Sequence, residues 1–108
     1  MAAIIHNKLV RDKIPQIIAA AGKRCSCREL SGEEYLLRLE EKLGEELAEY
    51  LESRSMEEMA DLLEVMMAVA KAQGYSWSSV EAIREEKARQ RGGFDSRIFL
   101  CSVTDEKE

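Results

Sequence analysis

Proline, histidine and tryptophan each occur once in the 108 residues, and no apolar run approaches the ~18 residues of a membrane-spanning helix. A membrane partner is therefore not expected. The opening "MAAIIHNKLV" has too short an apolar run for a secretory signal, and no basic residue precedes it. A cytoplasmic location with reduced thiols is the resulting expectation. The three cysteines, Cys25, Cys27 and Cys101, are an odd number, and His6 is the only histidine to add to them. "CSC" also lacks the two-residue spacer usual in zinc knuckles, so packed or half-exposed thiols are expected rather than a zinc site. Basic charge is in deficit: 16 Lys and Arg face 21 Asp and Glu, a net charge of −5. That excludes a non-specific binder of nucleic-acid polymer, which needs a basic stripe. It leaves room for a phosphate ligand, because a metal ion can reverse the local sign. Low-complexity linkers and internal repeats are lacking too, so residues 1–108 read as one domain.

What is present is a helical pattern. With 45% hydrophobic and 34% charged residues, the composition is that of a folded chain. "RDKIPQIIAAAG" predicts a short helix, capped by Asp12, with Pro15 tolerated in its first turn and Gly22 at its end. Ser31 with Glu34, Ser55 with Glu58, and Ser78 with Glu81 each fit the S-x-x-E capping box. These boxes predict helices over 32–53, 56–73 and 79–91, with Gly74 and Gly92 ending the last two. Residues 3–10, "RCSCREL" (24–30) and "SRIFLCSV" (96–103) suit short extended segments, the latter two as strand partners. Residues 104–108 read as a disordered tail. The predicted fold is mainly α, a bundle of about four helices with a minor short β element.

Acids dominate the middle of the chain. "EELAEYLESRSMEEMAD" holds seven carboxylates between Glu45 and Asp61. At about 100° per residue, Leu36, Leu39, Leu43, Leu47 and Leu51 form one stripe. Glu46 falls on the border of that stripe, with Glu45, Glu49 and Lys42 a little further round. The helix over 56–73 is apolar around most of its circumference, which marks it as buried. Glu57, Glu64 and Lys71 share its narrow polar face. Glu58 projects instead on the line of Leu62 and Val65, and Asp61 lies beside it. A connection of about two residues at Arg54 folds the helices antiparallel, so that Glu46 and Glu49 can face Glu58 and Asp61. Four carboxylates in one dry seam repel and call for a cation, with oxygen ligands favouring Mg²⁺ or Mn²⁺. The competing reading is a solvated or salt-bridged ridge, with Glu58 acting only as a capping residue and Lys42 neutralising part of the charge.

These residues resemble a known pattern. "EELAE" followed by "EMAD" is similar to the E-E-x-x-E … E-x-x-D signature of the all-α NTP pyrophosphohydrolases, which include MazG, dimeric dUTPases and phosphoribosyl-ATP pyrophosphohydrolase. "NKLVRDKIPQII" and "KARQRGGFDSRIFL" look like the terminal segments of a MazG-like house-cleaning branch, so the resemblance spans nearly the whole chain. It implies that Glu46, Glu49, Glu58 and Asp61 are Mg²⁺ ligands, with Mn²⁺ as a substitute. It also implies that Glu45, with Glu46, serves catalysis by metal binding or by positioning water. Eight residues separate Glu49 from Glu58, fewer than in many MazG proteins, and Glu64 is the alternative ligand. The implied reaction hydrolyses a nucleoside triphosphate between its α- and β-phosphates, and the implied assembly is a homodimer or homotetramer. The wide Met-rich face points to oligomerisation independently.

For the phosphates, Lys87 and Arg91 share a helix face before Gly92-Gly93, although basic residues also suit a helix C-terminus. Lys8 and Arg11, in a cluster with Lys13, and Lys42 are the other candidates. Tyr75 and Trp77 suit a hydrophobic contact at a helix start, with base stacking as the alternative. His6 reads as a surface or packing histidine, with a catalytic base as the alternative. Two other function classes stay open: a nucleotide-binding regulatory module without turnover, and a helical interaction protein with a surface acidic ridge.

Overall fold

The structure, a computed structural model, describes residues 2–105. Four helices occur among them: α1 (Ile14–Ala20), α2 (Gly32–Ser53), α3 (Met56–Ala72) and α4 (Trp77–Arg91). The chain divides into two compact units, Met1–Trp77 and Ser78–Glu108. No described helix is long and apolar enough to cross a membrane.

In the first unit α2 and α3 pack closely against each other. Two residues join them. Arg54 turns the chain in the left-handed region at φ 60°, and its Nε donates to the Leu51 carbonyl at 2.9 Å, tying off the end of α2. Ser55 then caps α3 by accepting from the Glu58 amide at 3.2 Å. So tight a connection makes the pair an antiparallel hairpin, as the spacing predicted. Its dry centre is small: Leu39 of α2 is 3% exposed and Val65 of α3 is 7% exposed. The predicted burial of α3 is not met within one chain, where Met56, Met59, Leu63, Met66 and Met67 all face outward.

The helix ends correct three expectations. α1 starts later than predicted, with Lys13 rather than Asp12 at the cap position and no side-chain cap. Its end is as expected: Gly22 takes φ 77°, its amide bonds to Ala19 and that of Lys23 to Ile18, a Schellman closure. Ser31 makes no capping bond to α2. Glu34 is drawn away instead by Arg28, whose two guanidinium nitrogens fork its carboxylate at 3.0 and 2.7 Å. α4 begins two residues before its predicted start, which places Ser78 inside the helix. Gly74 and Gly92 close α3 and α4 with positive φ, as predicted.

No strand occurs among the described residues, so the expected minor β element is not found there. Residues 24–30 are held by the Arg28–Glu34 fork and not by a ladder, and a pair of such short strands is unstable on its own. In the second unit, Phe94, Ile98, Phe99, Leu100 and Val103 are exposed. Of the expected tail, residues 104 and 105 have no regular structure, and 106–108 lie outside the described residues.

Candidate metal centre

Two helical registers build the site. Leu39 and Glu46 are seven apart on α2, and Glu58 and Val65 are seven apart on α3. Two helical turns separate each pair, so each acid shares a face with a residue of the dry centre. Glu46 is accordingly only 8% exposed. Glu46, Glu58 and Asp61 each offer a carboxylate oxygen, and the three oxygens lie within 4.8 Å of one another. Three acids at this spacing could hold a metal ion.

The polar accounting of this group is incomplete. Glu46 Oε1 has Lys42 Nζ at 3.6 Å, but Glu46 Oε2 and Glu58 Oε2 are buried without a hydrogen-bond partner. Unsatisfied buried oxygens of this kind are costly, and more so when charged. Asp61 is better served. Arg11 donates to its Oδ1 at 2.7 Å, across fifty residues of chain. One arginine and one lysine thus partly neutralise three acids.

Proton affinities report the same shortage of positive charge. Burial pushes the Glu46 carboxyl above the usual carboxylate range, and the neighbouring Glu49 and Asp61 add to the shift while Lys42 opposes it. Glu58 is raised as well, first by desolvation and then by Glu49, Asp61 and Glu46. Glu49, the fourth acid expected at the site, is exposed and lies outside the three-acid group, although its charge raises both Glu46 and Glu58.

The capping explanation of Glu58 is half right. Ser55 does accept from the Glu58 amide, but the reciprocal bond of a capping box is missing. The Ser55 amide donates to Ser53 Oγ at 3.2 Å instead. The Glu58 carboxylate is thereby released toward Glu46 and Asp61.

A cavity of about 780 Å³ opens beside the acids, within the size range of small-molecule sites. Glu46 and Asp61 belong both to its wall and to the acid group, whereas Glu58 belongs to the group alone. Arg11, Lys42 and Lys71 add positive charge to the wall, and Tyr35, Tyr75 and Trp77 add aromatic surface. Glu64 also lines it but is exposed and outside the acid group, so Glu58 is the acid that joins Glu46 and Asp61.

The remaining sequence-derived candidates fall elsewhere. Glu45 is exposed on α2, outside the group. Lys8 is exposed and does not line the cavity. Lys87 and Arg91 are exposed on α4, in the second unit. Tyr35 and Lys71 are wall residues that the sequence did not mark. Lys71 shares a face with Glu64, read from periodicity as the solvent side. Leu9–Ile14 and Ile17 also line the cavity, and no helical period of α3 could have signalled them. All three cysteines are exposed rather than packed. No family model, no curated protein and no solved structure matches this chain.

Proposed function

We propose that the protein is a Mg²⁺-dependent nucleoside triphosphate pyrophosphohydrolase, with Mn²⁺ as a possible substitute ion, acting in the cytoplasm on non-canonical nucleotides. One observation carries the cation half of this reading: Glu46, 8% exposed, has an unpartnered oxygen and shares a 4.8 Å cluster with Glu58 and Asp61. The nucleotide half rests on the resemblance of the acidic motifs and of the two terminal segments to MazG-like proteins.

In this reading Glu46, Glu58 and Asp61 hold the cation, and Glu49 supplies a fourth carboxylate. When bound there, Mg²⁺ would supply positive charge to phosphate oxygens and Lewis-acid activation of water. Arg11 and Lys42, already on the cavity wall, hold phosphate oxygens beside the acids. The wall aromatics Tyr35, Tyr75 and Trp77 offer faces for a base. Water attacks phosphorus, the bridging oxygen leaves with the departing phosphate, and the products are a nucleoside monophosphate and pyrophosphate. Glu45, as the first acid of the motif, is assigned to the attacking water on the resemblance alone. Lys8 is assigned to phosphate on the same ground.

A pyrophosphate-release screen with Mg²⁺ or Mn²⁺, over canonical, oxidised and deaminated triphosphates, tests the reading. Release from at least one nucleotide is expected, with Glu46→Gln and Asp61→Asn lowering the rate by roughly a hundredfold or more. No release across the panel would count against it. The exposure of Glu45 outside the acid group favours one competitor, a nucleotide-binding module without turnover. Calorimetric binding of a nucleotide with no product would establish that competitor.

A further inference from the structure

Cys25 and Cys27 are unused by the cation reading, and their geometry is specific. The Cys27 thiol donates to Cys25 Sγ at an S···S distance of 3.8 Å, and both side chains are exposed. They sit on the connection between α1 and α2, where residues 23–30 form neither helix nor strand. The segment is anchored at both ends, by the Schellman closure at Gly22 and Lys23 and by the Arg28–Glu34 fork. The two sulfurs are therefore kept near each other, while the backbone between the anchors gives up no regular hydrogen bonds if it adjusts.

We propose that Cys25 and Cys27 are a dithiol site that closes to an intrachain disulfide by exchange with a low-molecular-weight disulfide of the glutathione type. The thiolate of one cysteine attacks a sulfur of the reagent and expels one reagent thiolate, leaving a mixed disulfide. The second cysteine, once deprotonated, attacks the protein-side sulfur and expels the other reagent thiolate. Overall, the protein dithiol and one reagent disulfide give a protein disulfide and two reagent thiols, so two electrons and two protons leave the protein. Lys23 and Arg24 precede the pair in sequence and favour the approach of an anionic reagent such as glutathione disulfide. The product ring spans only one intervening residue and is exposed, two features of a readily reduced disulfide. Exchange runs through the thiolate, so it quickens as pH rises above neutral.

The test treats the whole protein with oxidised glutathione, quenches with acid, alkylates the remaining thiols and maps tryptic peptides. The expected product has lost the mass of two hydrogens, its Cys25–Arg28 peptide resists alkylation, and excess reduced glutathione restores the thiols. In Cys25→Ser and Cys27→Ser, the remaining thiol should instead carry glutathione, with a yield roughly tenfold or more above that of the mixed disulfide in the unaltered protein. Stable glutathione adducts on Cys25 or Cys27 of the unaltered protein, or a disulfide to Cys101, would overturn the proposal.

Discussion

Glu46 is the residue on which most of the proposed chemistry turns. Its raised proton affinity has a defined consequence for stability. A carboxyl whose affinity is higher in the folded than in the unfolded state stabilises the fold while both states are protonated. That contribution is lost as pH rises through the folded-state value. Glu58 acts in the same sense, while Glu34 and Glu86, lowered by Arg28 and Arg89, act in the opposite one from side chains open enough that solvent weakens them. Without divalent cation, Glu46→Gln should therefore raise Tm at pH 7 and flatten the gain in stability seen on mild acidification. Thermal unfolding of both proteins across pH 4.5 to 7.5, a window of roughly three units above the usual Glu value, checks the sign. A lower Tm for Glu46→Gln at pH 7 without cation would mean that the ionised carboxylate is already satisfied.

At the scale of elements, the α2–α3 hairpin does the positioning. Ser55 is its critical cap: its hydroxyl holds the Glu58 amide, while Ser53 Oγ takes the Ser55 amide and leaves the Glu58 carboxylate to face Glu46. Ser55→Ala should cost about 1 kcal/mol of stability, measured by urea unfolding, through loss of the cap bond. This hairpin was largely legible from the chain. The leucine stripe, the apolar circumference of α3 and the short connection at Arg54 pointed to Glu46, Glu58 and Asp61 as neighbours, because helical periodicity is a local property, but they also placed Glu49 with them, and it lies outside that group. Non-local competition was not legible. Glu34 left its capping box for Arg28, and the Ser55 amide found Ser53, each choice depending on a partner that periodicity does not rank. Arg11 likewise reaches Asp61 across fifty residues, and only the three-dimensional fold reveals the pair. The strand expectations failed for a related reason, since β-rich composition in 24–30 and 96–103 says nothing about whether a ladder partner is supplied.

At the scale of the molecule, one chain leaves much apolar surface open. Leu47 is 46% exposed, Leu51 53% and Met56 67%, and these residues lie close to the hairpin turn in sequence. Outward-facing Met59, Leu63, Met66 and Met67 extend the apolar surface along α3. Surface of this kind suits a self-complementary interface, as the Met-rich pattern suggested. Light scattering coupled to size exclusion should find a dimer or tetramer at micromolar concentration, and Leu51→Glu combined with Met56→Glu should shift it toward monomer. A monomer for the unaltered protein would leave the apolar face of α3 without its expected partner.

The central claim is that Glu46, Glu58 and Asp61 take a divalent cation, and calorimetric titration of the nucleotide-free protein with Mg²⁺ and Mn²⁺ tests it most directly. Saturable binding is expected, lost in Glu46→Gln and in Asp61→Asn. Arg11→Ala should bind more tightly, because the cation then has no guanidinium to displace from Asp61. At cation concentrations about a hundredfold above Kd, the same binding should stabilise the fold by about 2.7 kcal/mol. No saturable heat, or equal binding by the unaltered protein and both acid variants, would contradict the site.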